Sequence, residues 1–366
     1  MRLLTLCCEY PPIGGGGATA CEVLAEALAS RGHEVDVVTS GDRGLLWREE
    51  RRGVRIHRAT CLRRSRHYST APELATWLAP AYQTALRLHR AHRYDLAHCH
   101  FVVPSGIIAW LLARRTGLPY VLTAHGSDVP GFNPERFNYL HHLVRPFWTR
   151  IIRSAACLTA PSNYLEGLIR EQIDVPVEIL RNPCRPFPSG MKEPGERILV
   201  VARLVERKGI QHLLTALSGL DTHWECWIAG DGPCRSALEK AAPGWPRVRF
   251  LGMVPREELR ALYRSARVFV LPSLQENFPM VLLEAMAAGC AIVTTSIPGS
   301  VEVVGDASLL VEPGDGEALH RALANLLAND ALVDDLRRRS RARAALFDAA
   351  HIATQFEALF DRAQAG

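Results

Sequence analysis

Hydrophobic positions along this chain fall into short apolar runs that are separated by longer amphipathic stretches. The runs at Arg2–Cys8 and Glu34–Thr39 have the length of strands, whereas Ala18–Ser30 has the spacing of a helix with one buried face. Apolar strands that alternate with helices are typical of parallel sheets covered on both sides. Because crossovers between parallel strands are right-handed, the pattern predicts an α/β fold of the doubly wound type.

The alternation is interrupted once, around Pro183–Gly195, where Pro, Gly, Ser and Lys predominate. We interpret this stretch as a linker. A chain of 366 residues is expected to form roughly two domains of about 150 residues each. The sequence therefore predicts one Rossmann-like domain over 1–185, a second over 186–345 and a C-terminal segment over 346–366, with the two domains facing a cleft.

Composition narrows the choice of partners and of compartment. The formal net charge is +5, which suits anionic small molecules such as nucleotides and phosphorylated lipids, and no nucleic-acid partner is expected. The ten cysteines form no CxxC pair and several lie in apolar runs, which predicts buried free thiols in a cytoplasmic protein. The longest apolar stretch, Phe101–Ala113, is shorter than the roughly 20 residues that span a bilayer.

The first candidate for chemistry is the run Gly14–Gly17, between the first strand and the first helix. Glycines permit close approach of the backbone to a ligand, and a helix N-terminus presents free N–H groups to an anion. Gly15 and Gly16 are therefore candidates for contact with phosphates. No Lys-Ser or Lys-Thr pair follows, so the run is not a P-loop, and a simple tight turn is the alternative interpretation.

The second candidate is the pair Arg203 and Lys208, which straddles the turn after the first strand of the second domain. Groups at the carboxyl ends of strands in an open α/β sheet face the ligand crevice. Arginine binds phosphate as a fork and lysine as a point charge, so the two together can hold a diphosphate. Solvated surface cations are the alternative interpretation.

The third candidate is the segment Glu276-Asn277-Phe278-Pro279, which leads into a helix that carries Glu284. Pro279 suits the first helical turn, and Gly289 suits the end of the helix. Carboxylates accept hydrogen bonds from vicinal hydroxyls, so one acid can hold a sugar and the other a ribose. Backbone N–H groups at the start of the helix add further donors.

Histidines supply the fourth candidate. His125 lies on the loop after the predicted strand Pro119–Thr123 and suits hydroxyl binding or proton transfer, although a lone histidine is often structural. His98 and His100 share one face of a strand, and we interpret both as structural. No Cys/His spacing matches a zinc site, so the sequence predicts no metal site.

Taken together, these motifs resemble those of glycosyltransferase family 4, a retaining group with the GT-B fold. The resemblance covers nearly the whole chain and is carried by the segments EYPPIGGGGATACEVLAEALASRGHEVDVVTS, LTAHGSDV, APSNYLEGLI, VARLVERKGI, IAGDGP and VFVLPSLQENFPMVLLEAMAAGCAIVTT. The most specific part is the Glu-x7-Glu pattern of Glu276 and Glu284. The resemblance implies an N-terminal acceptor-binding domain, a C-terminal nucleotide-sugar domain and an end segment that crosses back to the first domain.

The resemblance also implies a role for each candidate residue. Arg203 and Lys208 would bind the donor diphosphate, Glu284 the ribose, and Glu276 the transferred sugar. The implied catalytic residues are His125, Arg203, Lys208 and Glu276, and the implied donor-binding residues are Gly15, Gly16, Asn277, Phe278, Pro279 and Glu284. The chain departs from the family pattern at Asn182, which is followed by proline and therefore is not assigned to the site.

The implied reaction is transfer of a hexose-type sugar from a UDP- or GDP-linked donor to a hydroxyl of a glycan, glycolipid or lipid-linked acceptor, in the biosynthesis of cell-surface polysaccharide or glycoconjugates. No Asp-x-Asp motif lies near the proposed site, so neither a metal nor another cofactor is expected. A non-catalytic sugar-nucleotide-binding protein and an NAD-dependent sugar-nucleotide epimerase are the alternatives. The epimerase needs a Tyr-x-x-x-Lys pair and an acidic residue after the second strand, and we find neither.

Two segments are candidates for peripheral contact with an anionic membrane, at the inner face of the plasma membrane. The loop Cys61–Tyr68 carries Arg63, Arg64 and Arg66 beside apolar residues, and Phe132–Trp148 is rich in aromatic residues. An ordinary basic surface is the alternative interpretation.

Overall fold

The computed structural model describes residues 1–66, 69–132, 145–187, 194–220, 223–242 and 247–365. The chain divides into two compact units. Met1–Pro183 and Ala349–Gly366 form the first unit, and Cys184–Asp348 form the second. The sequence predicts boundaries after residues 185 and 345, and the units of the structure change after Pro183 and after Asp348.

The first unit contains an eight-stranded sheet in the order β3-β4-β2-β1-β5-β6-β7-β8, in which only β3 is antiparallel to its neighbour. Its strands are β1 Arg2–Cys7, β2 Glu34–Ser40, β3 Arg48–Arg51, β4 Val54–Ala59, β5 Leu96–His100, β6 Tyr120–Thr123, β7 Cys157–Ala160 and β8 Glu178–Ile179. Its helices are α1 Gly16–Ser30, α2 Ala71–His92, α3 Ser105–Thr116, α4 at 145–153, α5 Asn163–Gln172 and α13 Ala349–Ala365.

The C-terminal helix α13 is part of the first unit. Its Phe356 and Phe360 are buried in the core of that unit. Glu357 on the same helix accepts hydrogen bonds from Nε and Nη2 of Arg31, each at 2.7 Å, and lies 2.9 Å from Nε2 of His33. Apolar burial and a charged contact therefore both hold the end of the chain against α1.

The second unit contains a six-stranded, wholly parallel sheet in the order β11-β10-β9-β12-β13-β14. Its strands are β9 Gly195–Val201, β10 Glu225–Ala229, β11 Val248–Gly252, β12 Ala266–Leu271, β13 Ala291–Thr295 and β14 Ser308–Val311. Its helices are α6 Ile210–Leu217, α7 Arg235–Ala241, α8 Arg256–Ser265, α9 Met280–Ala288, α10 Pro298–Val304, α11 Gly316–Leu327 and α12 Asp330–Ala344, with 3-10 turns at Glu206–Lys208 and Ala345–Phe347.

Strand order in the second unit defines where a ligand can bind. The strands extend from β9 to β10 and β11 in one direction and from β12 to β13 and β14 in the other. The order reverses between β9 and β12, and this switch point opens a crevice at the carboxyl ends of the two strands.

Two doubly wound α/β units confirm the fold class that the apolar runs predict. Among the described elements that are not predicted, three have a weak local signal. The edge strand β3 consists only of Arg and Glu residues, so it carries no apolar signal. The short strand β14 and the seven-residue helix α10 offer too few positions for a periodicity to be recognised.

All ten cysteines are free thiols, as the sequence predicts, and most of them are buried. None of the helices in the described ranges combines the length and the apolar character needed to cross a bilayer.

Candidate active site

The second unit brings two predicted segments to one place. Arg203 and Lys208 follow β9, and Glu276 follows β12. These strands pair in parallel, with Val268 opposite Ile198, so their carboxyl ends lie side by side. The predicted cations and the first predicted carboxylate therefore lie at the switch point of the sheet.

Lys208 and Glu276 form a direct ion pair, in which Nζ donates a hydrogen bond to Oε1. The Ser273 hydroxyl donates to the same oxygen at 2.9 Å. The side chains of the pair are only 15% and 12% exposed, so solvent screens their interaction weakly. Burial lowers the pKa of Lys208, the Glu276 carboxylate opposes this shift, and the charges of Arg207 and Arg203 add to it.

Gly209 is the residue that allows this contact. Its φ is +68°, and a Cβ at this position would lie 1.9 Å from the carbonyl oxygen of Pro272, just after β12. The N–H of Leu274 also donates to the carbonyl of Arg207 at 2.8 Å. The 3-10 turn that carries Lys208 therefore lies directly on the backbone that leads to Glu276.

A second glycine holds the segment that carries Arg203. A Cβ on Gly230 would lie 1.8 Å from the carbonyl oxygen of Ala202. The N–H of Leu204 donates to the carbonyl of Asp231 at 2.9 Å, so the two segments are joined on both sides of Arg203. Arg203 itself is exposed. Its backbone is thus fixed while its guanidinium is accessible to a ligand.

The loop at 276–279 packs against buried residues of the second unit. Asn277 and Phe278 are each 6% exposed, and the Phe278 ring packs edge-on against Phe347 with centroids 5.7 Å apart. A Cβ on Gly299 would lie 2.2 Å from the carbonyl oxygen of Asn277 and 2.4 Å from that of Glu276. The side chains of Asn277 and Phe278 thus support the loop from the buried side.

Helix α9 begins directly after this loop. Pro279 is the residue directly before the first helical residue, Met280, and the helix covers Met280–Ala288, the bounds that the sequence predicts. Gly289 ends the helix with φ +81°, as predicted. Glu284 is the fifth helical residue, so the two predicted acids lie at the mouth of the helix and about a turn and a half inside it.

Glu284 has its own set of partners. The Tyr263 hydroxyl donates to its Oε2 at 2.9 Å. Burial raises the pKa of Glu284, and this rise is opposed by Arg256, by the Tyr263 hydrogen bond, and by Arg185 and Arg260. The sequence does not single out Tyr263 or these arginines, because they lie on α8 and after the first unit, far from the Glu-x7-Glu pattern.

In the first unit, the loop with His125 follows β6, as predicted. The buried carboxylate of Asp128 accepts hydrogen bonds from the N–H groups of Val102 at 2.7 Å, Gly126 at 2.9 Å and His125 at 3.0 Å. One side chain therefore ties the loop after β6 to the segment after β5.

The ring of His125 contacts His100, a residue that we interpret from the sequence as structural. Nε2 of His125 lies 2.9 Å from Nδ1 of His100, and the Phe101 ring packs on His125 with centroids 4.6 Å apart. Burial lowers the pKa of His125 to about 4, so its ring is neutral at physiological pH. His125 can therefore donate or accept a hydrogen bond there but supplies no positive charge.

The glycine run lies next to the same ring. Gly15 precedes α1 and Gly16 is its first residue. A Cβ on Gly17 would lie 2.6 Å from the Phe101 ring and 3.3 Å from the His125 ring, whereas a Cβ on Gly15 would meet nothing within 4 Å. Gly17 thus lies beside His125, while the space around Gly15 is open.

Arg63 does not lie on a surface, so its predicted contact with a membrane is wrong. Its side chain is 1% exposed and lies 3.8 Å from Glu9. Its guanidinium donates to the Ser40 hydroxyl at 2.9 Å. Arg63 points inward, toward Ser40 at the end of β2 and Glu9 after β1. Tyr68 and most of Phe132–Trp148, including His141 and His142, lie outside the described residues.

No cluster of three or more His, Cys, Asp or Glu side chains suitable for a metal ion occurs within the described ranges. The polar groups at the switch point of the second unit are instead two cations, a carboxylate and backbone N–H groups. Such groups bind an anionic, hydroxyl-rich ligand, as in enzymes that use nucleotides.

Comparison with known proteins identifies the class. The family model for a glycosyl transferase 4-like domain matches residues 15–185, and that for glycosyl transferases group 1 matches residues 195–329. An uncharacterized glycosyltransferase of Methanocaldococcus jannaschii is 30% identical over 334 residues, which cover 83% of each chain. The chain therefore belongs to glycosyltransferase family 4, and it is a glycosyltransferase and not an epimerase.

Solved structures share the fold. Sucrose-phosphate synthase from Thermosynechococcus elongatus superposes with a TM-score of 0.82 at 24% identity, over 100% of both chains. Anabaena HepE in complex with UDP-glucose superposes with a TM-score of 0.78 at 19% identity, over 99% of both chains. Both are GT-B glycosyltransferases in architecture, which confirms the predicted GT-B class of two Rossmann-like domains.

Proposed function

We propose that this glycosyltransferase moves a hexose-type sugar from a UDP- or GDP-linked donor to a hydroxyl of a glycan, glycolipid or lipid-linked acceptor, with retention of anomeric configuration. The observation that carries the proposal is the contact between Lys208 and Glu276 at the switch point between β9 and β12, with Arg203 close by. The complex of Anabaena HepE with UDP-glucose supports a nucleotide-sugar donor.

Each group has a role that its chemistry suits. Arg203 and Lys208 bind the diphosphate, because a fork of N–H donors and an ammonium complement phosphate oxygens. Glu284 accepts hydrogen bonds from ribose hydroxyls, and Glu276 accepts them from the transferred sugar. Glu276 is paired with Lys208 before the donor arrives, so binding of the diphosphate exchanges one anionic partner of the lysine for another.

The reaction breaks the bond between the anomeric carbon and the phosphate oxygen and forms a bond from that carbon to the acceptor oxygen. The acceptor attacks from the face that the phosphate leaves, and the hydroxyl proton passes to the departing phosphate oxygen. Negative charge grows on the nucleoside diphosphate as the bond breaks. Arg203 and Lys208 stabilise that charge in the transition state.

The first unit contributes the acceptor site in this proposal. His125 contacts the sugar near its reacting carbon as a neutral hydrogen-bonding ring, and the backbone at Gly15 and Gly16 contacts the phosphates or the acceptor. Open space around Gly15 and the position of Gly16 at the start of α1 suit such a contact.

We also propose that transfer needs no divalent metal, because side-chain cations neutralise the leaving diphosphate. The test is incubation with a panel of UDP- and GDP-linked sugars, with and without EDTA, and mass spectrometry of donor and product. One donor is expected to be depleted with release of UDP or GDP, through hydrolysis where no acceptor is present, and at the same rate in EDTA.

The outcomes of this test separate the alternatives. Failure of every donor to bind or to be consumed would overturn the donor assignment. Loss of activity in EDTA, restored by a divalent ion, would overturn metal independence alone. Inversion at the anomeric carbon of the product would overturn retention and leave the other parts intact.

We further propose that the first unit contacts an anionic membrane through a surface patch, which we call the loop patch. It comprises the exposed apolar residues Leu46 (68% exposed), Trp47 (56%) and Leu62 (68%), with exposed Arg43, Arg48 and Arg64 close to them in the chain. Arg66 joins its two loops, since it donates to Asp42 at 2.6 Å and to the carbonyl of Arg43 at 2.8 Å. Tryptophan and leucine beside arginines suit the interface of an anionic bilayer.

Replacing both Trp47 and Leu62 by serine is therefore expected to reduce binding to vesicles that contain anionic lipid. Sedimentation with neutral and anionic vesicles, at low and high salt, measures the effect. Wild-type protein should sediment with anionic vesicles and be released in high salt, because the charge contribution is screened. Leu346→Ser, which removes an apolar side chain that is 55% exposed on the second unit, is the matched control. Equal sedimentation of wild type and the double variant would contradict the proposal.

A further inference from the structure

The contact between His100 and His125 offers an assignment beyond the candidate residues. We propose that His100 is a positioning residue, which orients the ring of His125 and determines which of its nitrogens carries the proton. The inference rests on the proposed function only in the role of His125 toward the sugar. Its structural basis is a row of three histidine rings, two on β5 and one on the loop after β6.

The row begins with His98, which is joined to two threonine hydroxyls. Its Nε2 lies 2.8 Å from the Thr123 hydroxyl, which in turn lies 2.8 Å from the Thr159 hydroxyl. The Thr159 hydroxyl also lies 3.2 Å from the carbonyl oxygen of Leu122. These contacts hold the His98 ring in one orientation.

The ring of His98 is packed between other aromatic rings. Its ring lies 5.2 Å from the rings of both Phe356 and Phe360 on α13. On the other side it lies 4.3 Å from the ring of His100. His98 and His100 are each 2% exposed, so neither ring has room to rotate freely.

His100 in turn contacts His125. Its Nδ1 lies 2.9 Å from Nε2 of His125, and the two rings are stacked at 20° with centroids 5.2 Å apart. Burial lowers the pKa of both rings, so both are neutral. In two neutral imidazoles, one of the contacting nitrogens must donate and the other accept. The tautomer of His125 is therefore tied to that of His100.

The backbone next to His100 is strained, and the strained residue, Phe101, contacts His125. Phe101 has φ +70°, a left-handed conformation that is unfavourable for a residue with a side chain. This conformation accompanies a ring that packs 4.6 Å from His125. Such strain persists where the surroundings determine it, and it clusters at functional sites. His125 is thus held on one side by His100 and on another by Phe101.

The test compares His100→Leu, which removes the hydrogen bond, with His100→Asn, whose amide keeps a polar atom near the position of Nδ1. His100→Leu is expected to lower kcat about tenfold while KM for the donor changes less than about twofold, the loss of one buried hydrogen bond to a functional side chain. His100→Asn is expected to recover most of the activity. His89→Leu, which removes another buried histidine, on α2, is the matched control and should retain wild-type kcat.

A second measurement does not depend on activity. Nitrogen-15 spectra of histidine-labelled protein report the tautomer of each ring, and His125→Gln assigns the His125 signals. Wild type should show His125 as one tautomer, His100→Leu as an average of two, and His100→Asn as predominantly one. Unchanged His125 signals in His100→Leu, or equal losses of kcat in both folded variants, would overturn the proposal. If no donor is consumed at all, the spectra still decide the role of His100.

Discussion

Lys208→Met is expected to lower kcat about 10²–10³-fold, the loss found when one preorganised donor to a developing negative charge is removed. Methionine keeps the length of the side chain but removes the ammonium that contacts Glu276 and, in the proposed reaction, the leaving diphosphate. The rate of UDP or GDP release at saturating donor measures the effect. Lys240→Met, which removes an exposed lysine of the same unit, should leave the rate unchanged.

The pH dependence of the same residue supplies an independent check. Burial lowers the pKa of Lys208, so in the free enzyme its positive charge is lost at a lower pH than the ordinary lysine value of about 10.4. The ammonium is the form that binds phosphate, so kcat/KM should decrease as pH rises through this lowered pKa. Lys208→Arg keeps its charge throughout and should lack this decrease. A folded Lys208→Met enzyme with wild-type kcat would remove Lys208 from the mechanism.

Gly209→Ala is expected to destabilise the second unit and to inactivate the enzyme together. The new Cβ would lie 1.9 Å from the carbonyl oxygen of Pro272, which belongs to the backbone and cannot rotate away. The left-handed conformation costs about 1–2 kcal/mol and the overpacking about 1–3 kcal/mol more. Displacement of the turn also moves Lys208 away from Glu276. Urea unfolding and donor turnover measure the two effects.

Gly117→Ala is the matched control for this variant. Gly117 has φ +77°, close to the +68° of Gly209, but a Cβ there would meet nothing within 4 Å. It should therefore show the conformational cost alone and retain full activity. If both variants lost the same stability and kept their turnover, the close approach to Pro272 would not be what places Lys208.

Fold class and most of the elements are predictable from the sequence, because the apolar runs and helical periods are local. Helix α9 illustrates this. Its end at Gly289 follows from the need for a left-handed residue, and its start follows from Pro279, the residue directly before Met280. The edge strand β3 is not predictable, since its four residues are all charged and carry no apolar signal.

The residues of the candidate site were likewise predictable only where the signal is local in the sequence. Arg203, Lys208, Glu276 and Glu284 are recognisable because the family motif gives each a fixed spacing. Arg63 is misjudged, since a basic loop predicts a solvated surface and not the buried contacts with Ser40 and Glu9.

The sequence by itself determined that this protein has two doubly wound units and that cations and acids follow their strands, since both properties depend on residues close together in the chain. Tertiary structure alone decided which of these residues touch. Lys208 meets Glu276 across 68 positions because β9 and β12 are neighbours in the sheet. His100 meets His125 because β5 and β6 pair with His100 opposite Thr123. Contacts of this kind are set by strand order and register, which the local pattern of residues does not encode.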